Sequence, residues 1–427
     1  MSKRLILLTI GILTLFAVSA FATETRVATM GNNGLYLKDD AGIFFYPGTM
    51  SQYQKMVIAE HYSNQLANDY SPFAYPAFRR VGIILPAWGN GTLAIFAGED
   101  TENFNVGGAF PGPGFDAPTT RLLVGYGMNT GNSSLGFQVD FSGVRDESPQ
   151  ALPQPAGATN IFTASTWGFG FGLSTPMGDL NNLDFGFRLR IGSFEEKADS
   201  SDEVLNNKSD GNMALSFVLR DYYALNDYMN LVPVGALGIA SEKNIDYVGG
   251  LPDSNLYKFN TTAIEAGLAL QTKPTESSEI IGGAGWRYFK LRERVFDNAS
   301  GSGTPVSDES FSATALPFVW LGFEAAVKNW MHFRLGVEKQ ILSEKEKRDE
   351  PTIAADHERD EWKITDSPLS YAVGAAFHAG PVTMDVMVEN EWFNMGPNFL
   401  SGNNLDDFGD SDNVALFPRV SFTYNFK

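Results

Sequence analysis

Leu183-Asp184-Phe185-Gly186-Phe187-Arg188-Leu189-Arg190-Ile191-Gly192 is the stretch that decides the fold. Its large apolar residues occupy every second position, and the positions between them hold charge or glycine. A helix would scatter those five side chains around its circumference, whereas a strand places all of them on one face. The same period recurs at 135–142, where Leu135, Phe137, Val139 and Phe141 alternate with Gly136, Gln138, Asp140 and Ser142. It recurs again at 331–338, 382–389 and 418–426.

A soluble sandwich and a membrane barrel both produce such alternation, so the connections have to separate them. The pattern predicts strands near 54–62, 77–86, 90–99, 118–128, 132–142, 164–175, 182–192, 212–222, 228–240, 260–272, 278–290, 312–325, 328–340, 369–378, 381–390 and 415–426. Tight links such as Trp88-Gly89, Lys328-Asn329 and Ala379-Gly380 alternate with long ones at 143–163, 193–211, 241–259, 291–311, 341–368 and 391–414. Short alternating with long is the rhythm of an up-and-down barrel with periplasmic turns and extracellular loops. The expectation is an all-β chain: a transmembrane antiparallel barrel of about 16 strands.

Composition agrees. The 427 residues include 43 Gly, 33 Phe and no Cys, and they carry a formal net charge of −19. The acidity argues against a nucleic-acid partner. The lack of cysteine excludes a disulfide framework and thiolate chemistry. Lys3 and Arg4, the apolar run Leu5 to Ser19 and Ala20-Phe21-Ala22 read as a cleaved secretory signal over residues 1–22. The long connections, with 63–76 and 100–117, hold the whole negative balance of the mature chain. No apolar run after residue 22 is long enough for a membrane-spanning helix. The domain reading is a signal at 1–22, an N-terminal segment at 23–53 and a barrel at 54–427.

Residues 29–50 carry Met30, Gly31, Gly34, Asp39, Asp40, Ala41, Tyr46, Pro47 and Gly48. That pattern resembles the start of the long-chain fatty-acid transporter (FadL-like) outer-membrane family, with Tyr46 where the family usually has Asn and no Ala between Pro47 and Gly48. The resemblance implies that the segment lies inside the barrel as a hatch. It also implies that hydrophobic molecules cross through a lateral opening in the wall, and that the barrel has 14 strands, which the segments above would match if two of them are not strands. Read from its residues alone, the segment is too apolar for a free tail, and either plugs the lumen or caps the periplasmic mouth.

The alternation places Arg188, Arg190, Arg220, Arg287, Arg334 and Arg419 on the inner wall with Asp140, Asp184, Glu265, Glu338, Asp385 and Glu389. Both signs facing one another suit a hydrated channel or a network that fills it. His61, His332, His357 and His378 show no metal-ligand spacing, and no nucleophile-elbow motif accompanies them. Neither an enzyme nor a cofactor is expected. Asp406, Asp407, Asp410 and Asp412 read as a solvated acidic loop, with a divalent ion bridging to lipid as the alternative. The run from Glu344 to Glu361 reads as a solvated loop tip. Trp88, Trp286, Trp320, Trp330, Trp362, Tyr424 and Phe426 are candidates for interfacial girdles. The expected function is passive uptake of small hydrophobic or amphipathic molecules across the outer membrane. The expected partners are outer-membrane lipid, lipopolysaccharide and, during insertion, the barrel-assembly machinery. A structural or secretion-partner barrel and a general hydrophilic porin are the alternatives.

Overall fold

The computed structural model describes residues 23–31, 34–62, 78–100, 120–149, 159–178, 181–199, 205–209, 211–248, 254–297, 305–349, 359–389 and 419–426. The expected signal at 1–22, His357 and the acidic cluster at Asp406 to Asp412 lie outside them. In chain order the strands begin with β1 (Met56–Tyr62), β2 (Phe78–Ala87), β3 (Gly91–Asp100), β4 (Thr120–Thr130), β5 (Ser133–Pro149) and β6 (Thr159–Met177). Next come β7 (Asn181–Asp199), β8 (Leu205–Ser209), β9 (Asn212–Asn226), β10 (Met229–Val248), β11 (Ser254–Thr275) and β12 (Ser278–Asp297). The last are β13 (Pro305–Lys328), β14 (Met331–Asp349), β15 (Arg359–Asp366), β16 (Leu369–Ala379), β17 (Val382–Glu389) and β18 (Arg419–Asn425).

The sheet closes on itself, because β1 pairs antiparallel with both β2 and β18. Around the ring β9 joins β7 to β10, and β14 joins β13 to β16. That leaves β8 and β15 as short additions at the end away from the tight hairpins. Among the described residues the ring therefore has sixteen strands, at the sixteen places the alternation predicts.

The connections differ from expectation. Strands β10, β11, β12 and β13 are 20, 22, 20 and 24 residues long, about twice the 9–11 residues that cross a bilayer. Much of 193–211, 241–259, 291–311 and 341–368 is strand, and the run from Glu344 contributes to β14 and β15, not to a loop tip alone. Beyond an apolar band both faces of a strand meet water, so the apolar signal fades while the hydrogen-bond ladder continues.

Side chains sort as the period requires. Phe137, Val139, Phe141, Phe169, Ile191, Phe217, Leu268, Leu335 and Phe422 point outward and are exposed. Phe187 shares that outer face, with its ring 5.1 Å from that of Phe217. A continuous exposed apolar wall of this kind is what a transmembrane barrel offers lipid. Trp88 stacks on Tyr126, Trp330 on Phe377 and Tyr424 on Phe426 at the tight-turn end. Trp286 stacks on Tyr288 nearer the other end. Trp320 corrects the girdle expectation: it points inward, is 4% exposed, and lies 5.2 Å from the ring of Tyr36. The register break at Leu316 and Pro317 shifts the alternation of β13, so an outward parity counted from upstream turns inward here.

Candidate functional site

Residues 23–53 supply many of the most deeply buried side chains in the protein, including Val27, Met30, Tyr36, Leu37, Ile43, Tyr46 and Met50. Thr23 caps a short helix, α1 (Glu24–Thr29), with its hydroxyl accepting from the amide of Arg26. Asp39 does the same for the 3-10 turn Asp40–Phe44, accepting from Ala41. Pro47 opens a second 3-10 turn, Pro47–Gln52, where its fixed φ suits a first helical position. Tyr46 ties the segment to itself, its hydroxyl donating to the Leu35 carbonyl at 3.1 Å.

Two cradles of inward-facing glycine receive this backbone. On one side a Cβ at Gly136 would sit 1.9 Å from the Pro47 carbonyl oxygen, one at Gly172 2.5 Å from the Gly48 amide, and one at Gly186 1.8 Å from the Phe45 carbonyl oxygen. Across the barrel a Cβ at Gly322 would meet the Met30 carbonyl oxygen at 2.6 Å, and one at Gly336 the Gly31 amide at 2.2 Å. Real Cβ atoms do not approach backbone that closely, so glycine is the residue these positions admit. Sequence reading took Gly136, Gly186 and Gly336 only as the non-apolar partners of the alternation, and it singled out neither Gly172 nor Gly322. The signal available was their clustering at the inward positions of neighbouring strands.

Ion pairs hold what the glycines admit. Arg26 reaches Glu324 at 2.5 Å, Asp39 at 3.2 Å and Glu279 at 3.2 Å. Arg80 bridges Glu24 at 2.7 Å and Glu60 at 2.6 Å, with its guanidinium 4.1 Å from the Phe44 ring centre. Arg220 pairs with Asp184 at 2.8 Å, donates to the carbonyls of Leu35 and Leu37, and lies over the Tyr46 ring at 4.0 Å. Arg334 binds Asp385 and, at 3.3 Å, Glu324. The Thr23 hydroxyl donates to Asp385 at 3.1 Å and accepts from Ser421 at 2.7 Å. Arg287 joins Glu265 at 3.0 Å to Glu338 at 2.6 Å, with its guanidinium 3.9 Å from the Phe318 ring centre.

The expected inner-wall residues thus largely come together, but as partners of one another and of the N-terminal segment. Arg188 pairs with Asp140 at 2.8 Å, and Asp140 also takes Arg121 at 3.1 Å. Arg190 is half-buried and Arg419 buried on the inward parity of β7 and β18. Glu389 ends β17 opposite Ala372. Among the segment residues, Met30, Asp39, Asp40, Tyr46, Pro47 and Gly48 are buried. Gly31 (φ +94°) and Gly34 are buried too.

Burial raises the Asp40 carboxyl well above its usual range, and the hydrogen bond and charge of Asp39 and the charge of Glu60 add to that, against Arg80. His332 meets Glu324 at 3.0 Å and the ring of His378 at 4.7 Å. No cluster of three or more metal-ligand side chains occurs among the described residues.

Toward the long-strand end the inner surface of β10 to β14 turns apolar. Phe289, Ala313, Ala315 and Leu342 are buried there, with Leu291 and Phe311 packed against them, in one cluster with Tyr36, Tyr46 and Trp320. Beside it, β13 carries a bulge. Gly285 pairs with Phe318 and Arg287 with Ala315, so Leu316 and Pro317 face the single residue Trp286 on one side. On the other side they face Ile341 alone, between the pairs to Gln340 and Leu342. Other register breaks between described strands lie near their ends, whereas this one interrupts the middle of the wall.

No family model and no curated protein matches the chain. Several solved structures are similar to it at low identity. The Ralstonia pickettii toluene transporter TbuX is 8% identical, with a TM-score of 0.40 over 97% of this chain and 100% of that one. A Pseudomonas aeruginosa FadL homologue is 11% identical, with a TM-score of 0.40 over 96% and 100%. The siderophore receptor PiuA from Acinetobacter baumannii is 10% identical at a TM-score of 0.40, and the match spans 69% of this chain and about half, 53%, of the receptor.

Proposed function

We propose that the chain is an outer-membrane channel for passive uptake of small hydrophobic or amphipathic molecules, with residues 23–53 acting as a lumenal plug behind an exported leader at 1–22. The observation that carries this reading is the apolar inner surface of β10 to β14, which includes Trp320 of β13 and meets Tyr36 of the buried N-terminal segment. A water-filled porin has no use for Phe289, Phe311 and Leu342 turned inward, whereas an apolar solute gains roughly 25 cal/mol for each Å² it buries there. The bulge at Leu316 and Pro317 suits an exit through the wall, since bulges break pairing and bend the strand that carries them.

A second reading has its own observation. Arg26, Arg80 and Arg220 tie the segment to the wall from three sides, as a permanently filled structural or partner-binding barrel would require. Single-channel current across a planar bilayer separates the two, measured with the mature chain and again without residues 24–50. Uptake of a radiolabelled apolar solute into vesicles by the intact chain, with current appearing on deletion, supports the transport reading. Absence of both sinks it in favour of the filled barrel, and large steady openings of the intact chain would mean a general porin.

A further inference from the structure

The long strands sort charge by sign as well as by polarity. In Arg292-Glu293-Arg294 on β12 and Glu344-Lys345-Glu346-Lys347 on β14, the cations and the carboxylates alternate with the strand period. The cations share the outward parity of Trp286 and Tyr288, and the carboxylates share the inward parity of Arg287 and Glu338.

Register then assembles the outward cations into one field just beyond the aromatic pair. Lys290 stands level with Lys345 and Lys363, through Ser312. One step outward, Arg292 is level with Lys347 through Ser310. One step further, Lys243, Lys258 and Arg294 are adjacent on β10, β11 and β12. With strands about 4.8 Å apart and about 3.4 Å of rise per residue, the field is roughly 24 Å wide and 14 Å tall.

Three carboxylates share that area. Asp308 pairs with Arg292 at 2.8 Å, Glu361 is shared by Lys345 and Lys347, and Asp349 lies at the outer margin. Lys258, Lys290, Arg294 and Lys363 form no ion pair with a carboxylate among the described residues. Lys258 instead covers the Phe296 ring at 4.4 Å. In a chain of net charge −19, a cationic field on one flank has to be explained.

We propose that this field, on the outer surface of β10 to β15, binds the phosphorylated head group of an outer-leaflet lipid, of the lipopolysaccharide type. This rests on the outer-membrane reading above. Two features select the occupant. The field continues directly from the apolar wall at Ile264, Tyr288 and Trp286, so a molecule seated on it has its acyl chains against that wall and its head group against the cations. Its charge complements phosphate and repels a basic protein surface, and clustered cations beside a membrane recognise anionic head groups.

The test uses the full mature chain in detergent micelles, with purified lipopolysaccharide and its enzymatically dephosphorylated form as probes and native mass spectrometry as readout. The wild type should retain the phosphorylated lipid and lose it as salt rises. A Lys258→Gln, Lys290→Gln, Arg294→Gln, Lys363→Gln variant should bind at least tenfold more weakly, while a variant with Arg at the three lysines binds as wild type. Heat-modifiable mobility on gels reports that each variant remains a barrel. Equal binding by the Gln variant, or equal binding of the dephosphorylated lipid, overturns the proposal. Insertion of the wild type into phosphatidylcholine vesicles is scored separately: failure there removes the outer-membrane reading, whereas insertion without lipopolysaccharide binding removes this inference alone.

Discussion

Single residues decide whether the N-terminal segment can lie where it does. A methyl group at Gly136 or Gly336 would collide with backbone that has nowhere to retreat, whereas one at Gly235 would meet nothing within 4 Å. Gly136→Ala and Gly336→Ala are therefore expected to loosen the segment and raise single-channel current, with Gly235→Ala unchanged; equal current in all three would mean that the cradles hold nothing. Arg26 makes a sharper case, because its removal leaves Glu279, Glu324 and Asp39 without their shared cation. Loss of one partner of a buried ion pair costs about 3–5 kcal/mol, so Arg26→Gln should expose residues 23–53 to protease in folded barrels. Asp40 adds a pH dependence. Its carboxyl holds a proton to higher pH in the folded chain than in the free one, so the docked segment binds more protons and loses stability as pH rises above the usual carboxylate range. Protease cutting within residues 23–53 should accelerate between mildly acidic and neutral pH, and Asp40→Asn should flatten that rise. The inward set Arg220, Arg287, Arg334, Glu338 and Asp385 was legible from parity alone. Their partners were not, because strand period gives direction and says nothing about which residue lies opposite across a closed ring.

At the scale of elements, alternation found the ring strands but not their ends. The apolar signal exists only where one face meets apolar surroundings, so it stops near Tyr288 while the ladder of β12 continues to Asp297. Charge alternation at Glu344-Lys345-Glu346-Lys347 marks the extension as clearly, once read as strand period and not as a charge run. On the lipid side, Phe187→Arg is expected to cost about 2–4 kcal/mol near the midplane, read as a lower denaturant midpoint for the barrel; a midpoint equal to wild type would place Phe187 away from lipid. Bulges are invisible to such patterns, since two residues opposing one shift the parity of everything beyond them. Deleting Pro317 alone leaves one residue opposite Trp286 and Ile341, which restores even pairing of β13 with β12 and β14. If solute leaves through the wall there, apolar uptake should fall while heat-modifiable mobility persists, and undiminished uptake would move the exit elsewhere.

Closure of the ring turns a local rule of facing into a global separation of charge. Because the tight turns and both sequence ends of the ring lie at one rim, every long strand sends its extension to the other. There the outward parity collects Lys258, Lys290, Arg292 and Lys347, and the inward parity collects Glu242, Glu293, Glu309 and Glu344. Arg348 is the cation on this inner face and pairs with Glu309 at 3.1 Å, so carboxylates line the outer vestibule in excess behind a wall whose outside is basic. Low-dielectric walls focus the field of the charges they enclose, so once residues 24–50 are removed the channel should pass cations in preference to anions. The reversal potential in a KCl gradient reads this directly. Glu242→Gln, Glu293→Gln and Glu309→Gln together should move it toward zero, while neutralising Lys258 and Lys290 on the outside should leave it in place. A shift produced by the outer pair, with none from the inner three, would mean that the ions do not travel along this wall.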